Sequence, residues 1–301
     1  MENLLANENV IVVFETLMYV ISAFLLFFIG KWTFDLTHRN INVKAELVKK
    51  DNLAFALSNI GYYTGLLISI GSVIVGPSYG LWVDLMDIMV FGILSILLLN
   101  LSSFLNDAFI LRKFSITKEI VTDQNTGTGA VHAAGFIASG LVVFGAMSGE
   151  GVNFFPDLAG GYLISGLITA TLFWIVGMIV LVLVAAIYSR MLPYNVHDHI
   201  EKDNVAVGIS FAGAIVAIAI LVGHGTSGDF EGWADHFLKV LVEIVIGLIF
   251  LPLVRWVTDK VLLPGEKITD EIINQERPNI GASLIEAFAY VGGAVLITWC
   301  L

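Results

Sequence analysis

The chain of 301 residues has a single cysteine, Cys300, so neither an intrachain disulfide nor a cysteine metal cluster is open to it. Charge is also scarce: Asp, Glu, Lys and Arg supply 14% of residues, where soluble domains carry about a quarter. Only 15 of those residues are Lys or Arg, the formal charge is −11, and there is no basic tail, which excludes nucleic acid as a partner held by phosphate neutralisation. The first ten residues contain Glu2 and Glu8 but no Lys or Arg, and the apolar run behind them is longer than a signal-peptide core, so no cleaved signal is expected. The apolar runs lack period-two alternation, which excludes a membrane β-barrel. Of six prolines only Pro252 interrupts an apolar run.

What is present is apolar: 57% of residues, with a mean hydropathy of +0.87. About 20 apolar residues at 1.5 Å each cross roughly 30 Å of hydrocarbon. Eight segments meet that length, at 10–34, 53–75, 81–105, 129–149, 159–189, 204–223, 237–258 and 280–300, numbered here as spans 1 to 8. Because backbone polar groups in lipid must be satisfied internally, each span is predicted to be a helix. The expected fold is an all-α, polytopic membrane bundle of eight transmembrane helices with the lipid bilayer as its first partner.

Fourteen of the 15 basic residues follow spans 1, 3, 5 and 7, and only Lys239 lies on the other side. The positive-inside rule makes those four linkers cytoplasmic and puts both termini outside the cytoplasm. The opposite loops carry Glu2, Glu8, Asp84, Asp87, Glu150, Asp157, Asp229, Glu231 and Asp235. Acids on translocated loops favour solubility; the functional reading is a vestibule whose field concentrates cations.

Four similar stretches follow the basic linkers: Asn52-Leu-Ala-Phe-Ala, Asn125-Thr-Gly-Thr-Gly, Asn204-Val-Ala-Val-Gly and Asn279-Ile-Gly-Ala-Ser. Each asparagine is suited to N-cap the helix it opens. Small residues two and four positions on allow a neighbouring backbone to approach closely, as helix packing in lipid requires. Gly61 and Gly65 add a close-packing motif in span 2, and 12 of the 21 residues from Gly129 to Gly149 are Gly, Ala or Ser. The chain therefore reads as four helix pairs in two four-helix membrane units, 1–152 and 153–301, of parallel topology. Even spans are expected inside and odd spans around them facing lipid.

These helix openings after basic linkers, in four-span units, resemble an uncharacterised bacterial inner-membrane family, domain of unknown function 350 (the YjfL-like proteins), as two tandem copies over about 10–149 and 159–300. The resemblance implies a multi-pass protein of the bacterial inner membrane, paired four-helix units and a homo-oligomer. It implies no activity, and hints at association with envelope-stress and membrane-remodelling factors.

Ionisable groups inside spans are functional candidates because burying them is costly. Glu286 lies seven residues after Asn279, about 10 Å into span 8. The same repeat position holds Asn59, His132 and Phe211, so three of four equivalents are polar. Glu243 in span 7 lies about two turns below the acidic surface, as does Glu15 in span 1, and snorkelling would suit both; an interior Glu243 could instead relay protons with Glu286. His224 with Asp229, Glu231, Asp235 and His236, and His197-Asp198-His199 with Glu201, offer metal-ligand types without metal-ligand spacing, so no metal is expected. Gly76-Pro-Ser-Tyr-Gly80 and Gly223-His-Gly-Thr-Ser-Gly228 match a nucleophile elbow and a dinucleotide fingerprint by letter, yet neither follows a strand. The expectation is a non-enzyme without cofactor: an ion, proton or small-solute channel or transporter with its polar site on the even spans. The alternative is a non-transporting scaffold whose basic linkers dock a cytoplasmic protein partner. If the orientation is right, an impermeant thiol reagent will label Cys300 in intact cells; labelling only in inverted vesicles would reverse the topology.

Overall fold

Backbone polar groups that enter hydrocarbon need partners within their own segment, and the chain meets this demand with eight long helices and, among the described residues, no strand. The computed structural model describes residues 8–110, 115–230, 232–262 and 265–301; Glu2, Arg112, Lys113 and Glu231 of the charge pattern lie outside the described residues. The helices are α1 (Glu8–Thr37), α2 (Leu53–Ile74), α3 (Leu81–Phe109), α4 (Thr126–Met147), α5 (Gly161–Met191), α6 (Val205–Gly225), α7 (Trp233–Val257) and α8 (Ile280–Cys300). All eight are long and apolar enough to cross a membrane, and the chain is a multi-pass helical bundle.

Two boundaries differ usefully from the hydropathy reading. α4 starts at Thr126, directly behind its asparagine, because the cap and not the onset of greasiness decides where a helix begins. α7 starts at Trp233, four residues early: Gly232, at φ +141°, turns the chain, and Asp235 sits in the first turn where a negative charge suits the helix dipole. Asp235 and His236 therefore belong to a helix and not to a loop.

The even helices share one opening. Asn52, Asn125, Asn204 and Asn279 each accept, through Oδ1, the backbone N–H three residues on, at 3.0, 2.9, 3.1 and 3.0 Å. The amide of each of the first three also donates to a carbonyl in the next linker: Asn52 to Ile120 (2.8 Å), Asn125 to Ile200 (2.7 Å) and Asn204 to Ile272 (2.8 Å). These three asparagines follow a residue held at positive φ, namely Asp51, Gln124 and Asp203. The linkers themselves form short π-helical turns, Ala45–Lys49, Lys118–Thr122 and Asp270–Asn274, with the six-residue helix Val196–Glu201 in the third.

Small residues then set the packing. α2, α4, α6 and α8 lie side by side in a file, each against the next. A Cβ on Gly61 would lie 2.3 Å from the Cα of Ala133, one on Gly65 2.3 Å from the Phe136 carbonyl oxygen, and one on Gly140 2.5 Å from the Gly65 oxygen. Gly208 against Gly127 and Gly213 against Ala287 continue the same contact along the file.

The interior-even, exterior-odd expectation needs two corrections. α2, α4 and α6 are the well-buried helices, but α8 ends the file and is mostly exposed, while α5 is half buried. Across the boundary between the units, α4 packs on α6 with the same kind of glycine contact that joins α2 to α4. Replacing Gly61 by Val should lower unfolding stability in detergent micelles by about 2 kcal/mol or more, the scale of overpacking. Gly71→Ala, with nothing within 4 Å, should be neutral or slightly stabilising.

Candidate functional site

The polar side chains inside the bundle fall into separate groups. On α8, Glu286 is fully buried, and its Oε1 accepts from Arg255 Nη1 of α7 at 2.7 Å and from Tyr290 Oη at 2.9 Å. Its Oε2 accepts a short hydrogen bond from Ser210 of α6, and Tyr188 of α5 donates to Tyr290. Arg255 Nη2 donates to Thr269 Oγ1 at 3.0 Å, and the guanidinium stands 5.7 Å from the centre of the Tyr194 ring. The carboxylate thus faces a cation and two hydroxyl donors, as a buried charge must if it is not to be prohibitively costly.

The first unit holds a matching group. His132 of α4 has Nδ1 2.8 Å from Ser58 Oγ of α2 and Nε2 3.3 Å from Asp107 Oδ1 of α3. Counted from the cap asparagines, Ser58 and Ser210 both stand at position six, and His132 and Glu286 both at position seven. α2 with α4 therefore repeats α6 with α8, with the charges exchanged: the acid is on the odd helix in the first unit and on the even helix in the second.

Asn59 is buried, its amide nitrogen has no hydrogen-bond partner, and it does not join the Glu286 group. Phe211, the fourth equivalent, packs edge-on to His197 at 6.4 Å. Glu243 is buried and pairs with His224 Nδ1 at 2.7 Å, so it does not snorkel. Twelve residues of α7, about 18 Å, separate it from Arg255, with buried Gly247 and Leu251 between; no relay joins it to Glu286. Glu286, His132 and Asn59 do not converge on one cavity, and the glycine contacts leave no room for a path between even helices.

The open spaces lie elsewhere, along α3 and α5. A cavity of about 790 Å³ at the acidic face is lined by Asp84, Asp87, Glu150, Tyr19, Tyr162 and Phe173 among others. Asp84 accepts from Tyr19 Oη and Ser78 Oγ, both at 2.6 Å, and Glu150 from Tyr79 Oη at 2.6 Å. That carboxylate beside its hydroxyl holds the Tyr79 phenol above its ordinary range. A second cavity, about 550 Å³, opens at the basic face, lined by Phe109, Val182, Ser189, Arg190, Tyr194 and Phe211 among others. On α5 the stretch between the two linings, Phe173 to Val182, is about 13 Å long. It is filled by buried Trp174, Met178 and Leu181, and Trp174 Nε1 donates to Ser102 Oγ of α3 at 2.8 Å.

Sequence reasoning missed Ser58, Asp107, Ser102, Trp174, Ser210 and Arg255. Ser58 and Ser210 had a signal, recurrence one residue before the seventh position of the repeat, and Ser102 had none. Arg255 reads as a linker charge because hydropathy gives depth without direction, and Asp107, just beyond the third apolar run, carries no local signal of a partner. Among the described residues no three His, Cys, Asp or Glu side chains stand close enough to hold a metal ion.

The fold and these buried pairs define a multi-pass membrane protein built from two tandem four-helix units. The chain belongs to the family described as Domain of Unknown Function (DUF350), which matches twice, at residues 5–147 and 162–301. It is 24% identical over 284 residues, 92% of this chain and 97% of the relative, to a UPF0719 transmembrane protein of Aquifex aeolicus (strain VF5). No solved structure matches the chain.

Removing one partner of the buried ion pair isolates its contribution. Arg255→Met should destabilise the protein by about 3–5 kcal/mol, because it strands a buried carboxylate. Arg255→Met combined with Glu286→Leu should recover most of that loss, read as unfolding midpoints in micelles.

Proposed function

We propose that the protein passes a proton or small cation across the bacterial inner membrane along the seam between α3 and α5, with the basic linkers on the cytoplasmic side. The observation that carries this reading is the pair of cavities at opposite ends of one seam, divided by a short apolar plug. The cavity at the acidic face has carboxylates in its wall and, among the described residues, neither Lys nor Arg, so its field favours cations. The plug is crossed by the Trp174–Ser102 hydrogen bond, which places a bulky side chain where a gate is needed. The rigid file of even helices serves as the frame against which α3 and α5 shift, and the polar pairs at its seams hold the frame in register.

A second reading has an observation of its own. The cap asparagines tie each linker to the next on one face of the bundle, which suits a scaffold that docks a soluble partner. Proteoliposome flux separates the two. Trp174→Ala should raise proton or potassium flux several-fold over wild type, Trp174→Phe should stay near wild type, and Asp84→Asn with Asp87→Asn should lower flux. Flux at the protein-free background in every variant would leave the scaffold reading standing.

A further inference from the structure

We propose that His132 and Asp107 form a proton-exchange site that opens to the basic face, and that the repeat-related Glu286 group is a closed lock that exchanges none. The contrast is in the hydrogen bonds. Every donor around Glu286 points at the carboxylate: Arg255, Ser210 and Tyr290. The Arg255 guanidinium can only donate, so a proton on Glu286 would break the buried ion pair, and the group favours one charge state.

The first unit is built differently. Where the second unit has a guanidinium it has a carboxylate, which accepts when ionised and donates when protonated, beside a serine equivalent to Ser210. Ser58 can satisfy His132 Nδ1 whether that nitrogen carries a proton or not, and Asp107 Oδ1 stands 3.3 Å from Nε2. Access differs as well, since the Asp107 side chain is 36% exposed and that of His132 only 9%. A second observation concerns the walls. His132 Nε2, Asp107 Oδ1, Asn59 Nδ2, Asn106 Oδ1 and Thr128 Oγ1 are buried atoms without a hydrogen bond of good geometry. All belong to residues within one helical turn of Ser58, Asp107 or His132 on their own helices. Such orphans call for a ligand that supplies donors and acceptors together, as water and a hydrated proton do.

The step balances simply. Asp107 takes a proton from solvent and passes it to His132 Nε2, whose Nδ1–H donates to Ser58; the carboxylic acid becomes carboxylate and the imidazole becomes imidazolium. Among the described residues the other titratable group facing this pair is His38 at the end of α1, which stacks on Phe34 at 4.2 Å and responds to both His132 and Asp107. Burial lowers the proton affinity of His38, so it competes weakly. α2 contributes only the neutral Ser58 and Asn59.

The assignment deepens the transport reading by naming its ion and rests on that reading only for its use. Its test is nitrogen NMR of the histidine side chains in the full chain in lipid nanodiscs, with the His132 signal identified by its loss in His132→Gln. The readout is the pH at which His132 changes protonation state. Asp107→Asn should weaken its proton binding about tenfold, one pH unit. Asp107→Glu and Glu286→Gln should leave the midpoint in place. A His132 that stays neutral throughout, or a midpoint that Asp107→Asn does not move, overturns the proposal. Absent flux with these shifts present would sink the transport reading instead.

Discussion

Close approach of one helix backbone to the next is the constraint on which this structure depends. Lipid tails are as apolar as leucine, so helices in a bilayer gain little by burying large side chains against each other. They gain by fitting closely, and along α2, α4, α6 and α8 the fit is set by Gly61, Gly65, Gly127, Gly140, Gly208 and Gly213. The consequence for function is direct. A file in which an added methyl would meet a backbone atom near 2.5 Å cannot also be a conduit. The looser seams are where α3 and α5 meet the file, and there the cavities lie.

The asparagine caps extend that order to the basic face. Each cap settles a local need, an orphan N–H at a helix start, and three of the four also reach a carbonyl in the next linker. One side chain therefore sets both where a helix begins and how it stands beside its neighbour. The residue before the cap pays a conformational cost by adopting positive φ at Asp51, Gln124 and Asp203. The fourth repeat has Pro278 there, whose ring forbids positive φ, and its Asn279 amide donates instead to Glu271 Oε2 at 2.7 Å.

Much of this was legible in the sequence, for reasons that set its limits. Span number follows from hydropathy, and the asparagine openings from a local cap. Close packing at Gly61 and Gly65 follows from residue size. What sequence could not supply is azimuth. His132 and Glu286 share a depth and a repeat position, but depth alone joined them to Asn59 in one imagined site. The structure instead turns each toward a serine on the preceding even helix and an oppositely charged group on the preceding odd one. Arg255, counted as a cytoplasmic linker charge, lies in the last turn of α7 with its side chain directed into the bundle. Glu243 looked like a snorkelling acid because His224, nineteen residues back across a loop, is invisible to any local reading.

The two ends of the file show how the repeat stops. The contacts between even helices use positions eight and nine after each asparagine: Gly61 meets Ala133, and Gly213 meets Ala287. At the free face of α2, position eight is Ile60, and at the free face of α8, position nine is Phe288; both are largely exposed, at 60% and 72%. Neither would let another small-residue helix come within backbone contact. Terminal members of a repeat array need faces unlike the interior ones, because an interior face left open invites another copy. Ile60 and Phe288 meet that need with bulk suited to lipid, so the contact made by Gly61 with Ala133 and by Gly213 with Ala287 is not offered at either free face.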